Sequence, residues 1–427
     1  MARIPPASLP IALTTIPTGS AVPLSMIPDF DERLQRLLHA SVARIVSRAA
    51  PLRPRLLLLT GSAACGEASA VPRGARFLPL SDLDLLLMTE RPAPGEWRSG
   101  LASGLNRELS GLLEELGLER NPIDVGLFPL LFFYRTPLTL ELAEAVSQGI
   151  ILWGDPACLQ PRRGELPRAF EALRLLTNRV RETLHREVHS GGGFTSPRGP
   201  SWNAEPADED WREAHRWAKL GLDGAKAWLA ARGRLEPSLR ERCTAIRDFA
   251  GATPSWLPVI EAWTVWRLAP SWPPPAIDPA ALSALGREVL GAVARDVGLP
   301  ETLPVTAGAW RKLLEREGGG TRDRFRAWRR FASLRPSRIS RSRALWFALR
   351  WAIDAWPASL ATLSLALVWI QAAGAAGSGD DLAVSDEGRR LREHLITEIP
   401  GCRDLPADRW DESWERALRA WAQWAVP

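Results

Sequence analysis

Two aspartates interrupt a run of leucines in this chain, and they limit its fold more than any other feature. The segment LPLSDLDLLLMT predicts a buried strand over residues 80–88, with Asp82 and Asp84 inside it. Alternate residues of a strand point to one face, so the two carboxylates are expected to project together. Two buried like charges repel each other, and a divalent cation between them would relieve the repulsion. Mg²⁺ is commonly held by one or two carboxylates plus substrate phosphates, which fits this pair.

A third carboxylate stands in a later apolar segment. The stretch NPIDVGLF predicts a strand over residues 122–128 that carries Asp124. If this strand lies beside the one with Asp82 and Asp84, three carboxylates converge. Three carboxylates can hold two metal ions, Mg²⁺ or alternatively Mn²⁺, which is the arrangement that serves in-line phosphoryl displacement.

A Gly-Ser pair follows the first predicted strand, Leu56–Thr60. Gly61 permits a tight turn and a close approach of the backbone to a phosphate group. The Ser62 hydroxyl and nearby backbone N–H groups would then hold the phosphates of a triphosphate tail.

The periodicity of the apolar residues changes near residue 165. Before it, predicted helices at 31–49 and 96–116 alternate with strands; after it, the spacing is helical almost throughout. We therefore expect an α+β protein: a small α/β domain with a mixed sheet and flanking helices, then a large all-α region. The expected divisions are a disordered extension at 1–28, a catalytic domain at 29–160, a helical domain at 165–250 and a further helical region at 255–427. Translation could also start at Met26.

The ordered set Gly61-Ser62, Asp82-Leu83-Asp84 and Asp124 resembles the DNA polymerase beta-like nucleotidyltransferase superfamily. The resemblance covers roughly residues 30–160 and includes GIILWGDP at 149–156. The chain departs from the pattern at Cys65, where arginine is common. It also places nineteen residues between Ser62 and Asp82, about twice the spacing of the smallest members, and we expect the extra residues to form a loop over the site.

The resemblance implies an enzyme that uses a nucleoside triphosphate and Mg²⁺ to transfer a nucleoside monophosphate to a hydroxyl group, with release of pyrophosphate. Asp82 and Asp84 would bridge two ions, and Asp124 would bind the catalytic ion and act as the base. Lys219 and Lys226 lie seven residues apart on one helix, which resembles the helix whose lysine contacts the triphosphate in such enzymes.

The acceptor stays open among a small molecule, a protein side chain and an RNA 3′ end. The net charge is only +5, from 54 basic and 49 acidic residues, and no RNA-binding module is visible, which favours a small molecule or a protein. Against this, residues 321–350 carry ten arginines and one acid and are a candidate RNA-binding stripe. A rival from another class is a non-catalytic protein that binds a nucleotide or a partner, as an antitoxin or scaffold does.

The remaining signals concern the compartment and the core. The four cysteines are far apart and form no CxxC pair, which favours a reducing cytoplasm over a disulfide framework or a zinc ribbon. Residues 355–379 carry no formal charge, but their proline and polar residues favour a buried helix over a membrane span. The tryptophans, Trp263 and Trp266 among them, recur at helical spacing and predict helix–helix contacts. His185 and His189 are four apart without a third ligand nearby, so we expect surface histidines. The nucleobase and the oligomeric state are not predicted.

Overall fold

A computed structural model describes residues 14–15, 22–93, 97–133, 139–159, 168–189, 206–251 and 253–296 of the 427-residue chain, together with residues 370, 389 and 393. The Arg-rich segment 321–350 and most of the uncharged segment 355–379 lie outside the described residues. The side chains of His185 and His189 are also outside them.

The sheet is mixed, as the sequence predicts. Its four main strands are β2 (Pro54–Thr60), β5 (Leu83–Thr89), β6 (Ile123–Pro129) and β7 (Ile150–Gly154), in the order β7-β2-β5-β6. β5 pairs parallel with β6 and antiparallel with β2, which pairs antiparallel with β7. The two residues of β1 (Thr14–Thr15) add to the outer edge of β7. The leucine-rich strands β2 and β5 are central, because a central strand is buried on both faces.

Helices cover both faces of the sheet. α1 (Pro28–Arg48) and α3 (Trp97–Glu115) pack on the face that carries Leu57, Leu85 and Leu87. α4 (Leu130–Phe133) and α5 (Leu140–Gln148) contribute to the core on the opposite face. A four-residue helix, α2 (Gly61–Ala64), follows β2 directly.

The segment between Ser62 and Asp82 differs from the expected loop. It forms a two-stranded hairpin of β3 (Ala70–Arg73) and β4 (Arg76–Pro79), with a turn at Gly74. β5 consequently begins at Leu83 rather than at residue 80, so Asp82 precedes the strand. The proline at 79 cannot donate a ladder hydrogen bond, which suits the end of a strand.

Among the described residues of 168–296, five helices follow the sheet domain: α6 (Arg168–His189), α7 (Asp208–Ala231), α8 (Leu239–Ala250), α9 (Leu257–Leu268) and α10 (Pro279–Asp296). They share one hydrophobic core, in which Trp263 and Trp266 are buried as predicted. The expected boundary between 250 and 255 is not visible in these helices, because α9 and α10 pack on α7 in that same core. No helix among the described residues is long and apolar enough to cross a membrane.

The expected disordered extension over 1–28 lies mostly outside the described residues, but its end, residues 22–28, is described. Leu24 is fully buried, and the backbone N–H groups of Leu24 and Ser25 donate to Asp31 Oδ1 at 2.5 and 2.9 Å. Ser25 Oγ donates to the Ala68 carbonyl at 2.7 Å. This segment therefore belongs to the sheet domain and not to a tail.

Candidate active site

A cavity of about 500 Å³ lies between the sheet and the helices α6 to α9. Every site residue that the sequence predicts lines it. These are Gly61, Ser62, Asp82, Asp84, Asp124, Lys219 and Lys226.

The pairing of the strands brings two of the carboxylates together. Asp84 on β5 is the register partner of Asp124 on β6, as expected if the two strands are neighbours. On the other side of β5, Asp84 is paired with Thr60, the last residue of β2, whose Oγ1 donates to the Asp84 carbonyl at 3.0 Å. Neighbouring strands lie about 4.8 Å apart, so backbone register alone sets the spacing of these groups.

The carboxylates are less buried than the leucine run suggested. Asp84 and Asp124 are exposed toward the cavity and Asp82 is half-buried. Asp82 Oδ1 accepts a hydrogen bond from Arg120 Nη1 at 3.0 Å. The expected pair of buried like charges is therefore a set of cavity-facing charges at the end of the strands.

The pKa of Asp84 is raised to about 6. The largest cause is desolvation, because the carboxylate lies deep in a recess even though solvent reaches it. The charge of Asp82 raises the pKa further and that of Asp124 adds to it, while Lys219 and Arg179 oppose them. Negative charge at this point of the cavity is thus incompletely neutralised by the protein.

The three aspartates are chemically suitable ligands for a divalent cation. Three carboxylates supply the hard oxygen ligands that Mg²⁺ and Mn²⁺ prefer. The charges of Asp82 and Asp124 contribute to the raised pKa of Asp84, and a cation bound among the three carboxylates would offset this repulsion. Among the described residues, no three His, Cys, Asp or Glu side chains already stand close enough to hold an ion. One oxygen of Asp82 is taken by Arg120, so its second oxygen is the one left for a cation.

Gly61 packs against Asp84 in a backbone conformation that strains any other L-residue. Its φ is +70°, and a Cβ placed on it would lie 2.6 Å from Asp84 Oδ2. The turn at the end of β2 therefore brings the backbone directly onto the carboxylate. Ser62 follows on α2, half-buried in the cavity wall.

The opposite wall is one face of α7. His215, Lys219, Asp223 and Lys226 recur three or four residues apart along it and all line the cavity. Lys226 Nζ lies 2.6 Å from Glu144 Oε2, and both side chains are 13% exposed. Lys219 has no such carboxylate within ion-pair distance among the described residues. The sequence predicts the same phosphate-binding role for both lysines, but the structure shows that their electrostatic surroundings differ.

Sequence analysis missed several cavity residues. Arg179 on α6 is ion-paired with Asp223 on α7. Arg267 lines the cavity from α9, and His215 Nε2 is buried without a hydrogen-bond partner in the described part of the chain. Burial, followed by the charge of Arg267, holds the pKa of His215 well below its usual value. The i,i+4 spacing of His215 and Lys219 was a visible signal, whereas no local pattern points to Arg179 or Arg267.

Glu67 joins the sheet domain to the helices. It is fully buried and accepts hydrogen bonds from Ser238 Oγ at 2.9 Å and from the backbone N–H groups of Leu239 and Arg240 at 2.8 and 3.1 Å. A carboxylate at the start of α8 is favoured by the helix dipole and by the free N–H groups there. Glu67 therefore anchors α8 beside the turn that carries Gly61 and Ser62.

Comparison of the chain with models of known protein families and with curated proteins found no match.

Proposed function

We propose that the protein is a metal-dependent nucleotidyltransferase, which transfers a nucleoside monophosphate from a nucleoside triphosphate to a hydroxyl acceptor. The observation that carries the proposal is the register pairing of Asp84 with Asp124 beside the turn at Gly61. The motif order Gly61-Ser62, Asp82-x-Asp84 and Asp124, which resembles the polymerase beta-like superfamily, agrees with it.

Asp82, Asp84 and Asp124 are the residues that would hold Mg²⁺. When bound, the ion would neutralise charge on the triphosphate and lower the pKa of the acceptor hydroxyl. The raised pKa of Asp84 supports this assignment, since a nearby cation favours its ionised form.

The remaining residues position the substrate. Ser62 and the backbone of the Gly61 turn would hold the triphosphate, and Lys219 would contact it from the helical wall.

Asp124 would take the proton of the acceptor hydroxyl, whose oxygen then bonds to the α-phosphorus. The bond from that phosphorus to the oxygen bridging it to the β-phosphorus breaks in line, and pyrophosphate leaves.

We assign Lys226 a smaller part in phosphate binding than Lys219. Its ammonium is already paired with Glu144, so a phosphate would compete with a buried carboxylate for it. We favour a small molecule or a protein as the acceptor and the cytoplasm as the compartment. Cys65 and Cys243 are free thiols, in keeping with a reducing compartment.

The test uses the purified full-length protein. Its thermal stability is measured with each of the four NTPs, with and without Mg²⁺, for wild type, Asp84→Asn and the control Glu115→Gln, whose carboxylate pairs with Arg36 on the surface outside the cavity. A ligand at 100 times its Kd adds about 2.7 kcal/mol of apparent stability. We expect at least one NTP to stabilise wild type and the control only with Mg²⁺, and Asp84→Asn to stay folded without responding.

Transfer is then followed with NTP labelled at the α-phosphorus. Label that moves to an acceptor with release of pyrophosphate supports the enzyme. Mg²⁺-dependent NTP binding without transfer to any acceptor tested would favour the non-catalytic reading. The absence of any NTP response in wild type would contradict the proposed function.

A further inference from the structure

Arg267 is a buried cation with no carboxylate within ion-pair distance among the described residues. Its side chain lies on α9, lines the cavity and is only 5% exposed. Its guanidinium donates from Nη1 to Ser69 Oγ and from Nη2 to Ser81 Oγ, the latter at 2.8 Å. Burial lowers the pKa of Arg267 to about 10, and the charges of Asp223, Glu67, Asp82 and Asp84 oppose that effect from a distance. Burying a charge whose direct hydrogen-bond partners are two neutral hydroxyls is costly, so its place there requires an explanation.

The two serines close the base of the β3–β4 hairpin. Ser81 Oγ accepts from the backbone N–H of Ser69 at 2.7 Å. The Ser69 carbonyl accepts from the N–H groups of Leu80 and Ser81 at 2.9 and 3.1 Å. Arg267 therefore joins the chain that enters the hairpin to the chain that leaves it, and the next residue is Asp82.

A second arginine, Arg120, contacts the end of the hairpin and Asp82 from the side of the sheet domain. Arg120 donates from Nε to the Pro79 carbonyl at 2.8 Å and from Nη1 to Asp82 Oδ1 at 3.0 Å. Asp82 precedes β5, so it lacks the ladder that holds Asp84. Its place at the cavity depends on these side-chain contacts instead.

We propose that Arg267 is a positioning residue, which fixes Asp82 at the cation site through Ser81. The helical region thereby controls the first carboxylate: cation affinity depends on α9 being docked on the hairpin. Arg73, on the hairpin strand β3, also binds Asp208 at the start of α7, a second tie between the same two parts. The inference rests on the proposed function, since it concerns the ion that Asp82 would hold.

The test measures Mn²⁺ affinity by electron paramagnetic resonance of the free ion, without NTP or turnover. The variants are Arg267→Met, Arg267→Lys and Ser81→Ala in the full-length chain. The matched control is Arg242→Met, because Arg242 is also a buried cavity arginine, but it donates to the carbonyls of Leu222, Glu236 and Pro237. Loss of a group that orients a metal ligand typically weakens metal affinity by about 10- to 100-fold.

We expect Arg267→Met to weaken Mn²⁺ binding about tenfold or more, and Ser81→Ala to weaken it several-fold. Arg267→Lys keeps one donor group for the serines and should recover part of the affinity. Arg242→Met should lower thermal stability while Mn²⁺ affinity stays at the wild-type value. If Arg267→Met does not fold, Ser81→Ala decides the question.

Wild-type affinity in Ser81→Ala and in a folded Arg267→Met would overturn the inference and leave the proposed function standing. The same follows if Arg242→Met loses as much affinity as Arg267→Met, because instability alone would then explain the effect. Failure of the wild type itself to bind Mn²⁺ would overturn both the inference and the proposed function.

Discussion

The two walls of the cavity are built in different ways. On the sheet wall, Asp84 and Asp124 sit opposite one another because their strands are in register. On the helical wall, Lys219 and Lys226 lie on one face of α7, but their surroundings are set by other elements: α5 supplies Glu144 to one of them and nothing comparable to the other. Position on the sheet wall thus follows from the backbone, whereas the charge available on the helical wall follows from side-chain packing.

This difference determines how each residue responds to the substitution of a neighbouring side chain. A carboxylate held by backbone register keeps its place when a neighbouring side chain changes. A lysine in a packed ion pair is bound to its partner, and removing either member leaves a buried charge. Substitutions on the sheet wall are therefore expected to abolish nucleotidyl transfer. Substitutions on the helical wall should separate effects on substrate binding from effects on stability.

The largest effect is expected at the paired carboxylates. Asp84→Asn should lower the rate of nucleotidyl transfer about 10³-fold, because it removes a charged ligand of the cation. Without metal, its thermal stability should equal or exceed that of wild type, since the repulsion from Asp82 and Asp124 is relieved. Transfer assays measure the rate, and melting curves measure the thermal stability. A fall in both together would mean that Asp84 is structural.

The largest loss of stability is expected at the buried ion pair. Lys226→Met should lower the free energy of unfolding by about 3 kcal/mol, because Glu144 is left buried and unpaired. Urea denaturation measures the loss. The double variant Lys226→Met/Glu144→Gln should recover much of it. A single variant as stable as wild type would show that the pair contributes nothing.

A smaller effect is expected at the turn. Gly61→Ala should cost about 1–2 kcal/mol for its left-handed backbone and should also weaken Mn²⁺ binding. The control is Gly74→Ala, which has φ +60° but no atom within 4 Å of the added Cβ. It should lose stability without losing Mn²⁺ affinity. Equal Mn²⁺ affinity in both variants would mean that the approach of Gly61 to Asp84 is irrelevant to the site.

Lys219→Met should mainly affect substrate binding. We expect the KM for NTP to rise about tenfold, equivalent to about 1.4 kcal/mol, with little change in stability, because this lysine has no described ion-pair partner to abandon. Steady-state kinetics and urea denaturation separate the two quantities. A stability loss as large as that of Lys226→Met would erase the distinction between the two lysines.

The smallest effect is a pH dependence of the metal-free protein. The pKa of Asp84 is about 6 when folded, against an ordinary value of 3.8, so the folded state binds the extra proton between these values. Stability from this group should therefore fall as pH rises from about 4 to about 6 and then stay level. The difference in melting temperature between wild type and Asp84→Asn, followed over pH 4–7, measures it. A wild-type curve parallel to that of the variant would mean that the pKa of Asp84 is not raised.

The fold of the sheet domain was largely predictable because its strands are strongly apolar and its helices strongly periodic. The predictions at 56–60 and 122–128 fall on β2 and β6 to within two residues. The hairpin at 70–79 was missed, since two four-residue strands around Gly74 carry too little pattern. Residues 22–28, at the end of the expected disordered start, pack on the sheet domain, where burial of Leu24 outweighs a composition rich in proline.

By itself, the sequence determined that the chain has a mixed α/β domain, that a Gly-Ser turn follows one strand and that Asp84 and Asp124 lie in two others, because periodicity and turn chemistry are local. Only the tertiary structure decided that Lys226 is paired whereas Lys219 has no ion-pair partner among the described residues, that Asp82 is held by Arg120, and that Arg267 reaches the base of the hairpin. These contacts join residues 38 to 186 positions apart. Such pairs are selected by packing of whole elements, for which no short stretch of sequence carries a signal.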